Sequence, residues 1–426
     1  MSLFDTFRKD QRGNVAMIFS LALLPIIGIG GVAVDYANVR QTEGQFQSAL
    51  DSTTLMLTRY APKNDAAALE RLGTPYFNAL ASQYGLKVTG ALKATKTQDR
   101  VTLAASGSYT THFGPLFGVN EWSFTVKSQA SYGTRKIEVA LVLDNTGSMG
   151  AMNKIGELKK ASHTLLKILQ DAAATPGQVK VALVPYTTRV NLGTTYRNDN
   201  WLTNAPVGTG FRPSENYILP TSRGTWGGCV AERDRPYNRN AQPANPGVAG
   251  SLYTMINCEG YLAQAMPLTS DFAALNARVD QMGADGWTNI TLGAQMGLEM
   301  LTAAAPFNQT TSDPNVDRFM ILLTDGLNTK DRWAGIADWA GSPQIESRMN
   351  QDTQGMCDAI TERAVPEASK TMKIKLYTVL VIEGNENLLR SCASSPDMFR
   401  KVQQANQLES VFQQIANEIG KVSLTM

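Results

Sequence analysis

Five residues carry side-chain oxygens that could bind a hard cation: Asp144, Thr146, Ser148, Thr288 and Asp325. The first three alternate in the stretch LVLDNTGSMG at 141–150, and the others lie in DGWTNIT and in ILLTDG. Carboxylate and hydroxyl oxygens suit Mg²⁺, Mn²⁺ or Ca²⁺ and are poor ligands for copper or iron–sulfur clusters. Alternate residues of an extended turn can present their oxygens to one side, and Gly147 lets the backbone approach closely.

Each of these residues also has an ordinary structural interpretation. Asp144, Thr146 or Ser148 could cap the helix predicted to begin near Lys154, and Asp325-Gly326 is a common turn pair. A metal site is favoured because all three stretches lie at predicted junctions between a strand and a helix. Ligands bind beyond the carboxyl ends of the strands in an open parallel sheet, so we expect the five oxygen-bearing side chains to converge there.

The elements that must position these oxygens alternate between strands and helices from Lys136 onward. The strands are predicted from the continuous apolar runs IEVALVLD, QVKVALVPYT, RFMILLTD and KIKLYTVLVI. The helices are predicted from KIGELKKASHTLLKILQDAA, TNITLGAQMGLEMLTAA, DTQGMCDAITERAVPEA and QLESVFQQIANEIGKV, in which apolar residues have helical spacing. Pro366 is expected to end its helix. The alternation predicts a parallel sheet covered by helices on both faces.

Residues 189–267 interrupt this alternation with a stretch rich in Gly, Pro and Asn. The stretch is too long for an ordinary loop, so we expect an insertion with a function or crosslinks of its own. The four cysteines of the chain lack CxxC spacing, which argues against a zinc ribbon. In an exported chain an even number favours disulfides. Of the three possible pairings we prefer Cys229–Cys258 and Cys357–Cys392, which are closest in sequence, and free buried thiols are the alternative.

The N-terminus has the properties of a membrane anchor. Residues 15–34 read VAMIFSLALLPIIGIGGVAV, a run of 20 residues without a charge, which is about the length that crosses a bilayer. Basic residues precede the run and no basic excess follows it, so residues 1–14 are expected in the cytoplasm and the bulk of the chain outside. A buried core helix would show a polar stripe, which this run lacks. A signal peptide cleaved near Gly31-Val32-Ala33 is the alternative, and it also implies export.

Residues 35–135 are predicted to form a helical stalk and a small α+β domain. Apolar residues recur at spacings of three and four over 35–61, so the membrane helix is expected to continue outward. Asn64 or Asp65 can cap a second helix that runs through Tyr84. Segments rich in Val, Thr and aromatic residues between 86 and 132 predict three strands, with FGPLFG at 113–118 as a turn between two of them.

The composition argues against several function classes. A net charge of +2 gives no reason to expect nucleic acid. The chain has only two histidines, His112 and His163, which is too few for a zinc site or a histidine-rich active site. No GxSxG or P-loop pattern is present, and Ser148 has no obvious base in the sequence, so we do not expect an enzyme.

Taken together, DNTGSM, GWTNITLG and ILLTDG resemble the metal-ion-dependent adhesion site (MIDAS) of von Willebrand factor type A (vWA) domains, whose pattern is D-x-S-x-S, T, D. The resemblance implies a doubly wound, Rossmann-like α/β domain over residues 136–426. It also implies Mg²⁺, with Mn²⁺ or Ca²⁺ as alternatives, held by the Ser and Thr hydroxyls and, directly or through water, by the aspartates. A protein partner would supply an Asp or Glu oxygen to the open position. Thr146 replaces the commoner Ser and keeps the hydroxyl.

The N-terminal stretch QRGNVAMIFSLALLPIIGIGGVAVDYANVR resembles the anchor of TadG-like proteins, which are accessory components of Flp (tight adherence) pilus systems. FGPLFG and SCASSPDMFRKVQQANQLESVFQQIANEI are also similar to that group. The resemblance implies a single-pass protein of the bacterial inner membrane, with its bulk in the periplasm or outside, and a partner in the pilus machinery or at the surface. We therefore expect an anchored, metal-dependent binding module. A structural pilus-base protein with a purely stabilising metal and a metal-dependent hydrolase are the alternatives.

Overall fold

The computed structural model describes residues 12–422, apart from 98–99, 133–134, 174, 205–216, 259, 312, 314–315, 335–340 and 364–369. It divides the chain into two compact units, Met1–Gly133 and Thr134–Thr425. Most of the predicted cytoplasmic N-terminus, residues 1–14, lies outside the described residues, and so does Pro366.

In the first unit the predicted membrane segment and stalk form one helix, α1 (Arg12–Thr58). Its stretch from Ile18 is long and apolar enough to cross a membrane, by length and composition. Helix α2 (Ala66–Gln83) follows, and its N-cap is Asp65, whose carboxylate accepts a hydrogen bond from the backbone N–H of Ala68 at 2.8 Å. Of the two N-caps that the sequence allowed, the structure therefore uses the aspartate.

The sheet of the first unit has four antiparallel strands, whereas the sequence predicted three. The strands are β1 (Lys87–Val88), β2 (Lys93–Lys96), β3 (Arg100–Thr110) and β4 (Glu121–Ser131). Strand β3 pairs with β4 along its whole length and with β1 and β2 on its other edge. The first predicted strand is split because Gly90 interrupts it, and a glycine weakens a strand interior. The ring of Phe46 on α1 packs edge-on against Phe77 and Phe124, which joins helices and sheet in one core.

The second unit is built on a six-stranded sheet of order β11-β6-β5-β12-β13-β14. Its strands are β5 (Lys136–Asp144), β6 (Val179–Tyr186), β11 (Met266–Thr269), β12 (Val316–Thr324), β13 (Ile374–Val381) and β14 (Phe399–Val402). Five strands are parallel, as the sequence predicted, whereas the edge strand β11 is antiparallel to β6 and makes the sheet mixed. Strand β11 is short and contains a proline, as an edge strand tolerates, so its sequence carries little strand signal.

Helices cover both faces of this sheet. They are α3 (Lys154–Ala172), α4 (Phe272–Asp280), α5 (Ile290–Leu301), α6 (Pro343–Ile360), α7 (Glu386–Cys392) and α8 (Leu408–Val422). Alternate residues of β5 pack into two separate cores, Ala140 and Val142 on one face and Leu141 and Leu143 on the other. Helix α6 begins earlier than the sequence predicted, because Pro343 at its first turn suits a helix start.

The predicted insertion forms a small second sheet between β6 and β11. Its strands are β7 (Val190–Asn191), β8 (Leu202–Thr203), β9 (Cys229–Ala231) and β10 (Tyr253–Ile256), in the order β7-β9-β10-β8. A Cys229–Cys258 disulfide crosslinks the insertion, and a Cys357–Cys392 disulfide joins α6 to α7. Both predicted pairings are therefore confirmed.

Candidate functional site

The two aspartates of the predicted site lie side by side at the carboxyl ends of neighbouring strands. Asp144 is the last residue of β5, and Asp325 directly follows Thr324, the last residue of β12. Strands β5 and β12 are parallel and in register, with Leu143 opposite Leu323. The strand order reverses between them, and this is where open α/β sheets bind ligands. Both aspartates are buried.

The structure also brings the three predicted hydroxyls to this point. The Ser148 Oγ atom lies 3.0 Å from Thr146 Oγ1 and donates a hydrogen bond to Asp325 Oδ1 at 2.6 Å. The hydroxyls of Ser148 and Thr288 both lie next to Gly326. A Cβ atom built on this glycine would be 3.7 Å from Ser148 Oγ and 3.9 Å from Thr288 Oγ1. Thr146 and Thr288 are buried, whereas Ser148 is exposed, so the cluster opens to solvent beside this serine.

None of the three motif residues caps helix α3. Its N-cap is Asn153. Thr146 occupies the N-cap position of the preceding 3-10 helix, Gly147–Asn153, but its side chain makes no capping hydrogen bond there. The carboxylate of Asp144 instead accepts hydrogen bonds from the backbone N–H of Thr146 at 2.8 Å and from Thr324 Oγ1 at 2.6 Å. The helix-cap interpretation of Asp144 is therefore wrong. The hydrogen bonds of its carboxylate join residues 145–148, the motif loop, to β12.

Asp325 is likewise more than a turn residue. The turn after β12 is held by Thr324, whose hydroxyl accepts the backbone N–H of Gly326 at 3.2 Å. This arrangement leaves the Asp325 carboxylate to Ser148 and to Lys154, whose Nζ lies 2.6 Å from Asp325 Oδ2. The Lys154 and Asp325 side chains are 4% and 0% exposed, so the ion pair is buried.

Sequence reasoning missed Lys154 and Thr324 as parts of this cluster. Lys154 is the first residue of α3, and a cation at a helix N-terminus opposes the helix dipole. This unfavourable position of Lys154 was the signal from which its role could have been predicted, because a cation there indicates a nearby anion. Thr324 carried no comparable signal, since a threonine at the end of an apolar strand is ordinary.

Burial and the negative charge of Asp325 raise the pKa of Asp144 from 3.8 to about 6, and the hydrogen bonds from Thr146 and Thr324 oppose this rise. Two carboxylates out of water repel each other, and a cation among their oxygens would relieve that repulsion. The donor set is made only of oxygens, two carboxylates and three hydroxyls, and therefore fits a hard divalent cation. In the described part of the chain, no three His, Cys, Asp or Glu side chains form a metal-binding group.

The loop that carries Thr288 is tied to the motif loop through the backbone. The N–H of Gly147 donates to Gly286 O at 3.0 Å, and the N–H of Asp285 donates to Asn145 O at 2.8 Å. The next residue, Asn289, caps α5 by accepting the N–H of Leu292 at 3.0 Å. These bonds fix the backbone on both sides of Thr288.

The insertion touches this loop through a buried glutamate. Glu232, which follows β9, accepts hydrogen bonds from Asn289 Nδ2 at 2.9 Å and from the backbone N–H of Arg332 at 3.2 Å. Burial and the charge of Asp331 raise the pKa of Glu232 to about 8. The insertion is thus bonded directly to the residue that follows Thr288.

Comparison with known families identifies the N-terminal segment. Residues 13–56 match the profile of the family described as putative Flp pilus-assembly TadE/G-like proteins. This segment is therefore TadE/G-like, as the sequence predicted. No curated protein matches the chain.

Several solved structures are similar to this chain at low sequence identity. The pilus adhesin SpaC from Lactobacillus rhamnosus GG is 13% identical with a TM-score of 0.40, over 79% of this chain and 34% of its own. The vWF domain of the type V pili tip protein Mfa5 from Porphyromonas gingivalis is 12% identical with a TM-score of 0.39, over 68% of this chain and 97% of its own. Proximal thread matrix protein 1 from the mussel byssus, with a zinc-occupied MIDAS motif, is 11% identical with a TM-score of 0.34, over 68% and 47%.

This chain spans about a third of the length of the SpaC chain. The fold of the second unit follows from its own strand order and register, which are those of a doubly wound α/β domain. The predicted doubly wound α/β fold is confirmed for the second unit, with an antiparallel edge strand and a disulfide-linked insertion.

Proposed function

We propose that this protein is a membrane-anchored accessory component of Flp pilus assembly that binds a protein partner through a divalent cation. The observation that carries the proposal is the pair of buried aspartates, Asp144 and Asp325, on one rim with three hydroxyl groups. The oxygens that would hold the cation belong to Asp144, Thr146, Ser148, Thr288 and Asp325. When bound, Mg²⁺, or Mn²⁺ or Ca²⁺ in its place, would offer a coordination position to an Asp or Glu carboxylate of the partner.

The charge of the cluster supports an anionic partner group. Two ionised aspartates and the Lys154 ammonium leave one net negative charge. A divalent cation would turn this into one net positive charge in a site that is mostly shielded from water. Lys154 thus makes the loaded site attractive to a carboxylate, because Coulomb attraction is stronger where water is excluded.

Exposed apolar residues beside the cluster provide a surface for a protein partner. Trp287 is 42% exposed and precedes Thr288, Leu327 is 40% exposed and follows Gly326, and Met152 is 63% exposed in the loop after the motif. Large aromatic and methionine side chains are enriched at protein interfaces. A carboxylate that reaches the cation would bring its own chain against these residues.

The N-terminal segment supports the location. The TadE/G-like match covers the apolar part of α1 and its continuation. Basic residues before the apolar run favour a cytoplasmic N-terminus, with the cation site in the periplasm or outside. The partner would then belong to the pilus machinery or to the cell surface.

Catalysis has no support in the surroundings of Ser148, whose hydroxyl contacts only Thr146 and Asp325 among the hydrogen bonds of the described residues. His163 pairs with Asn276 and Asp280 on α4, and His112 belongs to the other unit. A serine nucleophile needs a positioned base. We therefore propose binding rather than hydrolysis.

A pull-down from bacterial membranes with and without EDTA tests the proposal. We expect the full chain to capture its partner only with Mg²⁺ present, and Asp144→Ala to abolish both the capture and the stabilisation by Mg²⁺ while leaving the circular dichroism spectrum unchanged. Capture by a variant that binds no metal would show that the cation is not the bridge. Stabilisation by Mg²⁺ without any effect on capture would favour a structural pilus-base protein whose metal only rigidifies the rim.

A further inference from the structure

The FGPLFG loop at 113–118 packs on the apolar part of α1, inside the first unit. A Cβ atom on Gly28 would lie 2.9 Å from Cζ of Phe117, and one on Gly31 would overlap the ring of Phe113. Both glycines are buried, whereas Ile27, Ile29 and the other apolar residues around them are exposed. The two aromatic rings therefore lie directly against the α1 backbone, within the segment proposed to cross the membrane.

The buried carboxylate of Asp35 fixes this loop to α1. Its two oxygens accept the backbone N–H groups of His112 at 2.9 Å, of Phe113 at 2.8 Å and of Gly114 at 2.8 Å. Both carboxylate oxygens are thereby hydrogen-bonded, although the residue directly follows a run of 20 uncharged residues. The loop is thus held at two levels of the helix, by hydrogen bonds at Asp35 and by ring packing at Gly31 and Gly28.

These contacts fix the depth of the loop along α1. At 1.5 Å per residue, Gly28 lies about 10 Å closer to the N-terminus than Asp35 along the helix axis. The loop therefore extends down the apolar segment rather than away from it. Leu116 and Phe117 at its tip are 70% and 60% exposed, so most of their apolar surface is left uncovered, although one edge of the Phe117 ring lies against Gly28.

An aromatic pair lies beside Asp35, at the height along α1 where the loop is hydrogen-bonded to the helix. Tyr36, next to Asp35 on α1, packs edge-on against Trp122 at the start of β4, with ring centroids 6.3 Å apart. Both rings are partly exposed. Tyrosine and tryptophan concentrate where membrane hydrocarbon meets the headgroups, because their rings are apolar and their polar atoms need water.

We propose that the 113–118 loop is a second membrane contact, which inserts Leu116 and Phe117 into the outer leaflet beside α1 and places Tyr36 and Trp122 at headgroup level. The proposal rests on the proposed membrane anchor, because the depth of the loop is measured along that helix. The partner is the lipid bilayer. The role of the loop is to fix how far α1 emerges from the membrane and which way the first unit faces.

Spin-label accessibility in vesicles tests this proposal. The four native cysteines form two disulfides, so a single new cysteine can be labelled in the full chain. Three positions with exposed side chains are labelled separately: Leu116→Cys at the loop tip, Leu21→Cys in the apolar run and Ala79→Cys on α2 as the water-exposed control. The protein is reconstituted in phosphatidylcholine–phosphatidylglycerol vesicles, and collisions of each label with oxygen and with a water-soluble nickel complex are measured.

We expect the label at position 116 to collide readily with oxygen and to lose most of its collisions with nickel, as the label at 21 does and the label at 79 does not. Nickel collisions at 116 equal to those at 79 would overturn the proposal. Low collisions with both reagents would overturn it as well, since protein rather than lipid would then cover the loop. If the label at 21 also collides with nickel, the membrane anchor itself fails, which separates the two proposals.

Discussion

The ammonium of Lys154 and the carboxylate of Asp325 form a buried ion pair, with Nζ and Oδ2 2.6 Å apart. The two residues are far apart in sequence and meet because helix α3 begins above the carboxyl end of β12. The same carboxylate accepts the Ser148 hydroxyl through its other oxygen. Asp325 therefore belongs both to an internal ion pair and to the proposed cation site. A bound cation and the Lys154 ammonium would both be attracted to the negative charge of this one carboxylate.

Replacing Lys154 by methionine tests this sharing. We expect Lys154→Met to destabilise the metal-free protein by about 3 kcal/mol or more, because it leaves a buried carboxylate unpaired. We expect the same variant to bind Mg²⁺ more tightly than the wild type, because the competing positive charge is gone. Thermal unfolding over a Mg²⁺ titration measures both effects.

Lys167→Met is the matched control for that experiment, since Lys167 lies on the same helix and is 79% exposed. We expect it to change neither the melting temperature without metal nor the response to Mg²⁺. If Lys154→Met were as stable as the wild type in EDTA, or weaker in Mg²⁺ binding, the role given to Lys154 would be wrong.

The contribution of Asp144 to the stability of the metal-free protein should fall as pH rises through the range in which this residue ionises. Burial and the charge of Asp325 raise the pKa of Asp144 from 3.8 to about 6, so the native state keeps this proton at pH values where the unfolded chain has lost it. Stability contributed by the protonated form is therefore lost between pH 4 and 6 and does not change above that range. The full effect is about 3 kcal/mol.

Urea unfolding in EDTA at several pH values measures this effect against Asp144→Asn, which cannot ionise. We expect the wild type to lose stability relative to the variant as pH rises from 4 to 6.5. Parallel pH profiles for the two proteins would contradict the assigned pKa.

Trp287 should contribute to partner capture without contributing to metal binding. Its side chain is exposed next to the buried Thr288, whose hydroxyl is the proposed ligand. We expect Trp287→Ala to weaken capture by roughly tenfold or more, as removal of an interface tryptophan commonly does. Stabilisation by Mg²⁺ should stay at the wild-type level. A variant that captures its partner normally would place the interface elsewhere.

Both disulfides should persist in protein isolated without reductant. We expect thiol titration of the denatured chain to detect no free thiol, because all four cysteines are paired. Replacing Cys229 and Cys258 by serine should lower the unfolding free energy by about 2–5 kcal/mol. Four titratable thiols would argue against export as well as against the crosslinks.

Local patterns in the sequence were sufficient for most of the framework. Apolar runs predicted the four long strands of the main sheet, and cap residues predicted where α2 begins, since Asp65 was one of the two candidate N-caps. The edge strands β11 and β14 and helices α4 and α7 were not predicted. Each is short, so it shows too few repeats of its period to stand out, and its stability comes from packing on the sheet.

The sequence by itself determined the five oxygen-bearing residues of the candidate site, because the chemistry and spacing of Asp144, Thr146 and Ser148 are local properties that can be read without coordinates. Only the tertiary structure decided that Lys154 pairs with Asp325, and that the rings of Phe113 and Phe117 lie against α1. Both relationships join residues far apart in the chain. They depend on how helices and loops pack, which residue types and periodicity do not specify.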